Sequence, residues 1–144
     1  MATRTATAEW QGGLQGGDGS FDTASGAIGG KYSFESRFTD EGGTNPEELI
    51  AAAQAGCYSM QLAAMLEKAG HTPESVRTEA KVQILKQGDG FAITKIAMTT
   101  VGRVPGIDEA AFQETVRQAK EACLISKALG AVETITVDAT LESP

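Results

Sequence analysis

Metal-binding side chains are scarce in this chain. One histidine, His71, and two cysteines, Cys57 and Cys123, leave no paired ligand spacing, so no zinc signature can be drawn. Basic residues are also in deficit: 12 Lys and Arg against 19 Asp and Glu give a net charge of −7. An acidic surface repels phosphate backbones, and no arginine-rich run offsets it, which excludes nucleic acid as a partner class. The N-terminus, MATRTATAEW, has no apolar stretch of signal-peptide length, so the expectation is a cytoplasmic protein, where a lasting structural disulfide is unusual. Leu49 to Leu66 is the one segment that resembles a membrane span. It is short for a bilayer, rich in alanine and glycine, and interrupted by Gln54, Ser59 and Gln61. A buried helix explains it better, and no membrane partner is expected.

What is present reads as one globular domain over residues 1–144, with no internal repeat or linker. At 41% hydrophobic and 22% charged residues, the chain can build a core without a disulfide scaffold. The first forty residues predict strands at Thr5 to Trp10, Ser20 to Thr23 and Tyr32 to Phe38. Gly16-Gly17-Asp18-Gly19 and Gly29-Gly30 act as turns, and Tyr32, Phe34 and Phe38 share one face. Thr44-Asn45-Pro46-Glu47-Glu48 then starts a helix: Asn45 can cap, proline suits the first position, and the glutamates favour the positive end of the dipole. It should run to about Ala69 and stop at Gly70. Small or apolar residues lie on nearly every side of it, so it belongs in the middle of something, with Met60 and Met65 as core residues.

Two long strands follow, Ser75 to Lys86 and Phe91 to Val101, joined by a hairpin turn at Gln87-Gly88-Asp89-Gly90. A second helix starts at Asp108, with Ile107 stapled on Phe112 and a stripe of Phe112, Val116, Ala119 and Cys123, and ends at Gly130. Glu133 to Leu141 is a last strand. The fold class is α+β with mainly antiparallel pairing. So small a domain has difficulty covering its own apolar helix, which points to a homodimer burying Leu49 to Leu66.

Few residues can carry chemistry. Gly29-Gly30-Lys31-Tyr32 lacks the hydroxyl residue of a phosphate loop and leads into a strand. His71 lies beyond Gly70, roughly 20 Å along the helix axis from Cys57, which makes a Cys–His pair poor and His71 a loop residue. Cys57 and Cys123 each sit on the apolar stripe of a helix. They could be inert core residues, or they could face each other as a reactive pair. Peroxide chemistry would need a thiolate and a cation to hold it. Arg37 can supply the cation, and Glu47 can fix its guanidinium by a two-point contact.

The run RFTDEGGTNPEELIAAAQAGC, Arg37 to Cys57, together with EACLISKAL, Glu121 to Leu129, resembles the OsmC/Ohr family of osmotically inducible and organic hydroperoxide resistance proteins. The arginine twenty residues before the cysteine, beside the helix start TNPEEL, is closer to the OsmC branch. The resemblance implies an intertwined homodimer with mainly antiparallel sheets wrapped around central helices. It implies reduction of organic hydroperoxides, and of hydrogen peroxide less well, through a two-cysteine sulfenic acid and disulfide cycle. Carried onto this chain, the peroxidatic cysteine is Cys57, the resolving cysteine Cys123, the active-site arginine Arg37, and the glutamate Glu47 rather than Glu48. It implies no metal, haem or flavin, and electrons from a dithiol reductant, lipoylated proteins among them. One departure stands out: the family usually has proline after its second cysteine, and here Leu124 follows Cys123. Leucine permits a continuous helix through Cys123.

The attacking thiolate would sit among Ile50, Ala53, Met60 and similar side chains, favouring alkyl hydroperoxides by up to about 0.8 kcal/mol per methylene. The rival reading is a non-enzymatic module that binds a small apolar ligand at a dimer interface, with both cysteines merely buried.

Overall fold

The computed structural model describes residues 1–142, and the chain divides into two compact units, Met1–Leu49 and the part from Ile50 onward. In the first unit, β1 (Ala6–Gln11), β2 (Asp18–Thr23) and β3 (Gly29–Tyr32) form an antiparallel sheet in that order. Trp10 and Phe21 both contact Tyr32, with ring centroids 5.5 and 5.7 Å away. Gly29 and Gly30 are strand residues rather than the expected turn, which falls earlier, at residues 24–28. Glycine is needed at position 30 for close approach: a Cβ there would come within 2.8 Å of the Thr44 hydroxyl.

The expected strand from Tyr32 to Phe38 is also corrected. It stops at Tyr32, and α1 (Phe34–Phe38) follows as a single helical turn. The Ser33 side chain accepts the Ser36 amide, and the Ser36 hydroxyl accepts the Ser33 amide, a reciprocal cap that closes the turn. Phe34 and Phe38 therefore meet at helical spacing, 5.1 Å apart, instead of alternating along a strand.

The long helix α2 (Pro46–Lys68) begins as the sequence indicates, with Asn45 Oδ1 accepting the Glu48 amide at 2.8 Å. It ends at Gly70, whose φ of +91° suits a residue without a side chain. The Gly70 amide bonds Glu67 and the His71 amide bonds Leu66, satisfying the last carbonyls in a Schellman pattern.

In the second unit β4 (Ser75–Gln87) and β5 (Gly90–Arg103) form the hairpin about Gly88-Asp89. The register shifts between Gln83 and Ile84, where Gln83 faces Lys95 and Ile84 faces Ile93. Thr94 is thus an extra residue, and the bulge changes the inward parity from Ile93 to Ile96, Met98 and Thr100. Helix α3 (Glu109–Ala122) is capped by Asp108 and carries the chain back to β6 (Thr134–Glu142), which pairs parallel to β5. Pairing is mainly antiparallel and the class is α+β, as expected.

The core of this unit joins Tyr58, Leu62 and Leu66 of α2 to Met98 of β5 and to Phe112, Val116 and Ala119 of α3. Ile107 packs against the same cluster. Each large side chain so buried contributes roughly 1.5–3 kcal/mol. By length and composition α2 could cross a membrane, but its Tyr58–Leu62–Leu66 face is fully buried in this core. The helix is not covered all round within one chain. Ala53, Gly56, Met60 and Ala64 form an exposed stripe at helical spacing. Met60, expected in the core, is 77% exposed, whereas Met65 packs against the cluster.

Candidate active site

Two groups of expected site residues are assembled, each within its own unit. In the second unit, Cys57 lies midway along α2 and Cys123 at the end of α3, and the Cys123 thiol points to the Cys57 sulfur at 3.1 Å. Both are free thiols. Cys57 is partly exposed, and Cys123 is fully buried.

The backbone around Cys123 departs from expectation. Leucine at position 124 does not carry the helix through. Cys123 has φ −62° and ψ 122°, closes α3 and opens a second short helix, α4 (Leu124–Ala128). Its amide still bonds Ala119 and its carbonyl still accepts the Lys127 amide, so regular helical bonding reaches the break from both sides. The break turns the Cys123 side chain inward while Leu124 stands 72% exposed. An exposed leucine has nothing to gain from a continuous helix, and the buried cysteine and its neighbours set the bend.

The break also supplies polar groups to the sulfurs. Burial disfavours the Cys123 thiolate, but the amides of Ser126 and Ile125, the Cys57 thiol and the Ser126 hydroxyl more than offset it and hold Cys123 below the ordinary cysteine range. Cys57 is pushed up, mainly by burial and further by Cys123. A pair that shares a proton across 3.1 Å ionises in two steps. Thiolate absorbance against pH should therefore show one step below and one above the ordinary value of about 8.5. Cys57→Ser should leave a single step; one two-proton step at 8.5 in the parent protein would mean that the sulfurs do not interact.

Two residues of this cluster are not foreshadowed by the sequence reading. Gln54, one turn before Cys57, is fully buried; its amide nitrogen donates to Ser126 Oγ at 2.8 Å and lies 3.7 Å from Cys123 Sγ. The available signal is its polarity in a run of alanines, three residues before one cysteine, with Ser126 three residues after the other. Tyr58 is buried beside them, donates to the Val116 carbonyl and has its phenol pKa raised by burial and by Cys123, which keeps it neutral.

In the first unit, Arg37 on α1 meets Glu47 in the first turn of α2. Both Nε and Nη2 approach Glu47 Oε1 at 2.8 Å. The contact uses one carboxylate oxygen rather than two, and Glu47 Oε2 is buried without a hydrogen-bond partner among the described residues. The guanidinium also lies 5.1 Å over the Phe38 ring. Beside it is a cleft of about 240 Å³ lined by Trp10, Leu14, Tyr32, Phe34, Phe38 and Arg37. Its walls are apolar and aromatic with one cation. Ala53 and Met60, expected near the attacking sulfur, are exposed on α2. His71 lies in a loop, as expected. Among the described residues no group of three or more His, Cys, Asp or Glu converges as a metal site would require.

The chain as a whole is similar to known proteins. The family model described as OsmC-like protein matches residues 39–138. The chain is 47% identical over 137 residues to the peroxiredoxin OsmC of Escherichia coli, covering 94% of each. It is 36% identical over 87 residues to the organic hydroperoxide resistance protein OhrB of Bacillus subtilis, covering 60% of this chain and 62% of that one. The crystal structure of that OhrB superposes with a TM-score of 0.63 at 27% identity, covering 97% and 98%. An OsmC-like protein of unknown function from Vibrio cholerae shares the fold, with a TM-score of 0.75 at 16% identity over 97% of this chain and all of that one.

Proposed function

The chain belongs to the OsmC family, and from that premise we propose that it is a thiol-dependent peroxidase of organic hydroperoxides, working from Cys57 and Cys123 within a single OsmC-like domain of residues 1–144. The observation that carries this reading is the 3.1 Å contact between a partly exposed and a buried sulfur. Peroxide reaches the exposed one, so Cys57 attacks. Its thiolate takes the distal oxygen, the O–O bond breaks, and the alkoxide leaves as alcohol after gaining a proton. Cys57 is then a sulfenic acid. The Cys123 thiolate attacks that sulfur, the S–O bond breaks, hydroxide leaves as water, and a disulfide forms. A dithiol, lipoylated proteins among the candidates, reduces it by two exchanges.

Arg37 is the cation for this chemistry, and it serves Cys57 of a second subunit. Within one chain it is tied to Glu47, and Cys57 lies ten residues further along α2, about 15 Å of helix and about 80° round the axis. Antiparallel crossing of two α2 helices in a homodimer would bring the first turn of one to the middle of the other. The exposed stripe of Ala53, Gly56, Met60 and Ala64 supports such a crossing, because small residues let two backbones approach. The aromatic cleft beside Arg37 would take the organic part of the peroxide. A cytoplasmic setting would return both cysteines to thiols between turnovers.

The test is stoichiometric. One equivalent of an alkyl hydroperoxide per subunit should consume one thiol pair and release one equivalent of the corresponding alcohol. A passive apolar-ligand module would keep both thiols, and that result would remove the peroxidase reading.

A further inference from the structure

Gln54 is out of place by polarity. On α2 it is fully buried among alanines and core side chains, where an amide costs free energy unless both its ends are bonded. Only one end is. The nitrogen donates to Ser126 Oγ at 2.8 Å, whereas Oε1 is buried with no partner among the described residues. An apolar residue of the same volume would fill this position at lower cost. What the amide does is aim a donor at a sulfur, 3.7 Å from Cys123 Sγ, and tie the first turn of α4 to α2 across the break at Cys123.

We infer that Gln54 and Ser126 are positioning residues for the second half of the cycle: together they hold the Cys123 sulfur against Cys57 and stabilise it as the thiolate that closes the disulfide. The inference rests on the peroxidase reading given above and concerns only the step after Cys57 is oxidised. In that step the Cys123 thiolate forms the S–S bond, the Cys57 S–O bond breaks, and hydroxide leaves as water after gaining a proton. A buried thiolate needs donors, since burial alone favours the thiol. Gln54 Nε2, the Ser126 hydroxyl and the Ser126 and Ile125 amides surround this sulfur from α2 and α4, and no lysine or arginine is among the groups that lower its pKa. Hydrogen bonds to an ionised acceptor are roughly twice as strong as those between neutral groups. The Ser126 amide and hydroxyl are among the causes that depress the Cys123 pKa, and the part of Gln54 stands on the geometry of its contacts.

The direct experiment separates the two oxidation steps in the intact protein by rapid mixing with an alkyl hydroperoxide. Gln54→Met keeps the volume and removes the donor. Sulfenic acid formation at Cys57 should stay within about twofold of the parent. Disulfide closure at pH 7 should slow by up to about tenfold, the scale of one hydrogen bond to a charged group, and its pH midpoint should rise. The slower closure should also let excess peroxide convert more Cys57 to sulfinic acid, read by intact mass. Ser126→Ala, at a partly exposed position, should raise the midpoint in the same direction. Ser126→Thr, which keeps the hydroxyl, should restore it. An unchanged closure rate and midpoint in a folded Gln54→Met protein overturns the inference, as does an unchanged midpoint in Ser126→Ala should the Gln54 variant not fold. If the parent protein forms no sulfenic acid, the peroxidase reading itself fails; if the parent closes its disulfide and the variants match it, only the role of Gln54 and Ser126 does.

Discussion

Cys57→Ser is expected to abolish peroxide reduction, a loss of more than about 1,000-fold, because a hydroxyl with no base beside it is a very weak nucleophile at neutral pH. The replacement is close to isosteric and sits at a partly exposed position, so the fold should survive it. Cys123→Ser should behave differently. It removes the partner 3.1 Å away but leaves the attacking sulfur, so each subunit should accept one oxygen and then stop, or go on to the sulfinic acid with excess peroxide. Peroxide consumption over many turnovers and intact mass after one equivalent distinguish the two variants. Sustained turnover by Cys57→Ser, or an unmodified Cys57 in the oxidised Cys123→Ser protein, would reverse the assigned roles.

Arg37→Ala should lower the rate of the first oxidation by about 100-fold, the usual scale for removing one charge-stabilising group from a reacting centre. It should also alter ionisation. In a Cys123→Ser background Cys57 titrates alone. A facing cation lowers a thiol pKa and burial raises it, so the midpoint for alkylation should lie below about 8.5 with Arg37 present and above it in Arg37→Ala. Within one chain burial is the dominant cause at Cys57 and raises its pKa, so a lowered midpoint would be the mark of a cation from a second subunit. Mixing the inactive Cys57→Ser with the strongly impaired Arg37→Ala should raise activity above that of either alone in heterodimers, which regain one intact site. Verified heterodimers without that gain would show that Arg37 acts within its own subunit.

Much of this was legible in the sequence because it depends on local rules. The α2 start at Asn45-Pro46 and its stop at Gly70 follow from backbone groups that must be satisfied at helix ends, and the residues that satisfy them are few. The α3 stripe of Phe112, Val116, Ala119 and Cys123 is a matter of period, and all four are buried. The failures lie where a local and a longer-range cause compete. Tyr32 to Phe38 has strand-like aromatics, but a serine–serine cap takes precedence over alternation. The bend at Cys123 has neither proline nor glycine to announce it, and the contact that ties α4 beyond it comes from far away in the chain, at Gln54. Gln54 shows in the sequence only as a polar residue among alanines, and its role does not, because its partners are 69 and 72 residues distant.

The starting separation of the two sulfurs bears on the choice of electron donor. Groups held in reacting geometry behave as though present at effective concentrations of up to about 10⁵–10⁸ M. A monothiol at cellular millimolar levels competes poorly with a neighbour already in contact with the sulfur that is to be oxidised. It would be outrun in the race for the sulfenic acid and would meet only the finished disulfide. There it could open the bond once, but Cys123 or Cys57, still adjacent, would expel it before a second molecule arrived. A donor that carries both thiols on one short tether avoids this recapture, because its own second sulfur completes the exchange intramolecularly. A disulfide closed across that contact would thus disfavour single-thiol reductants.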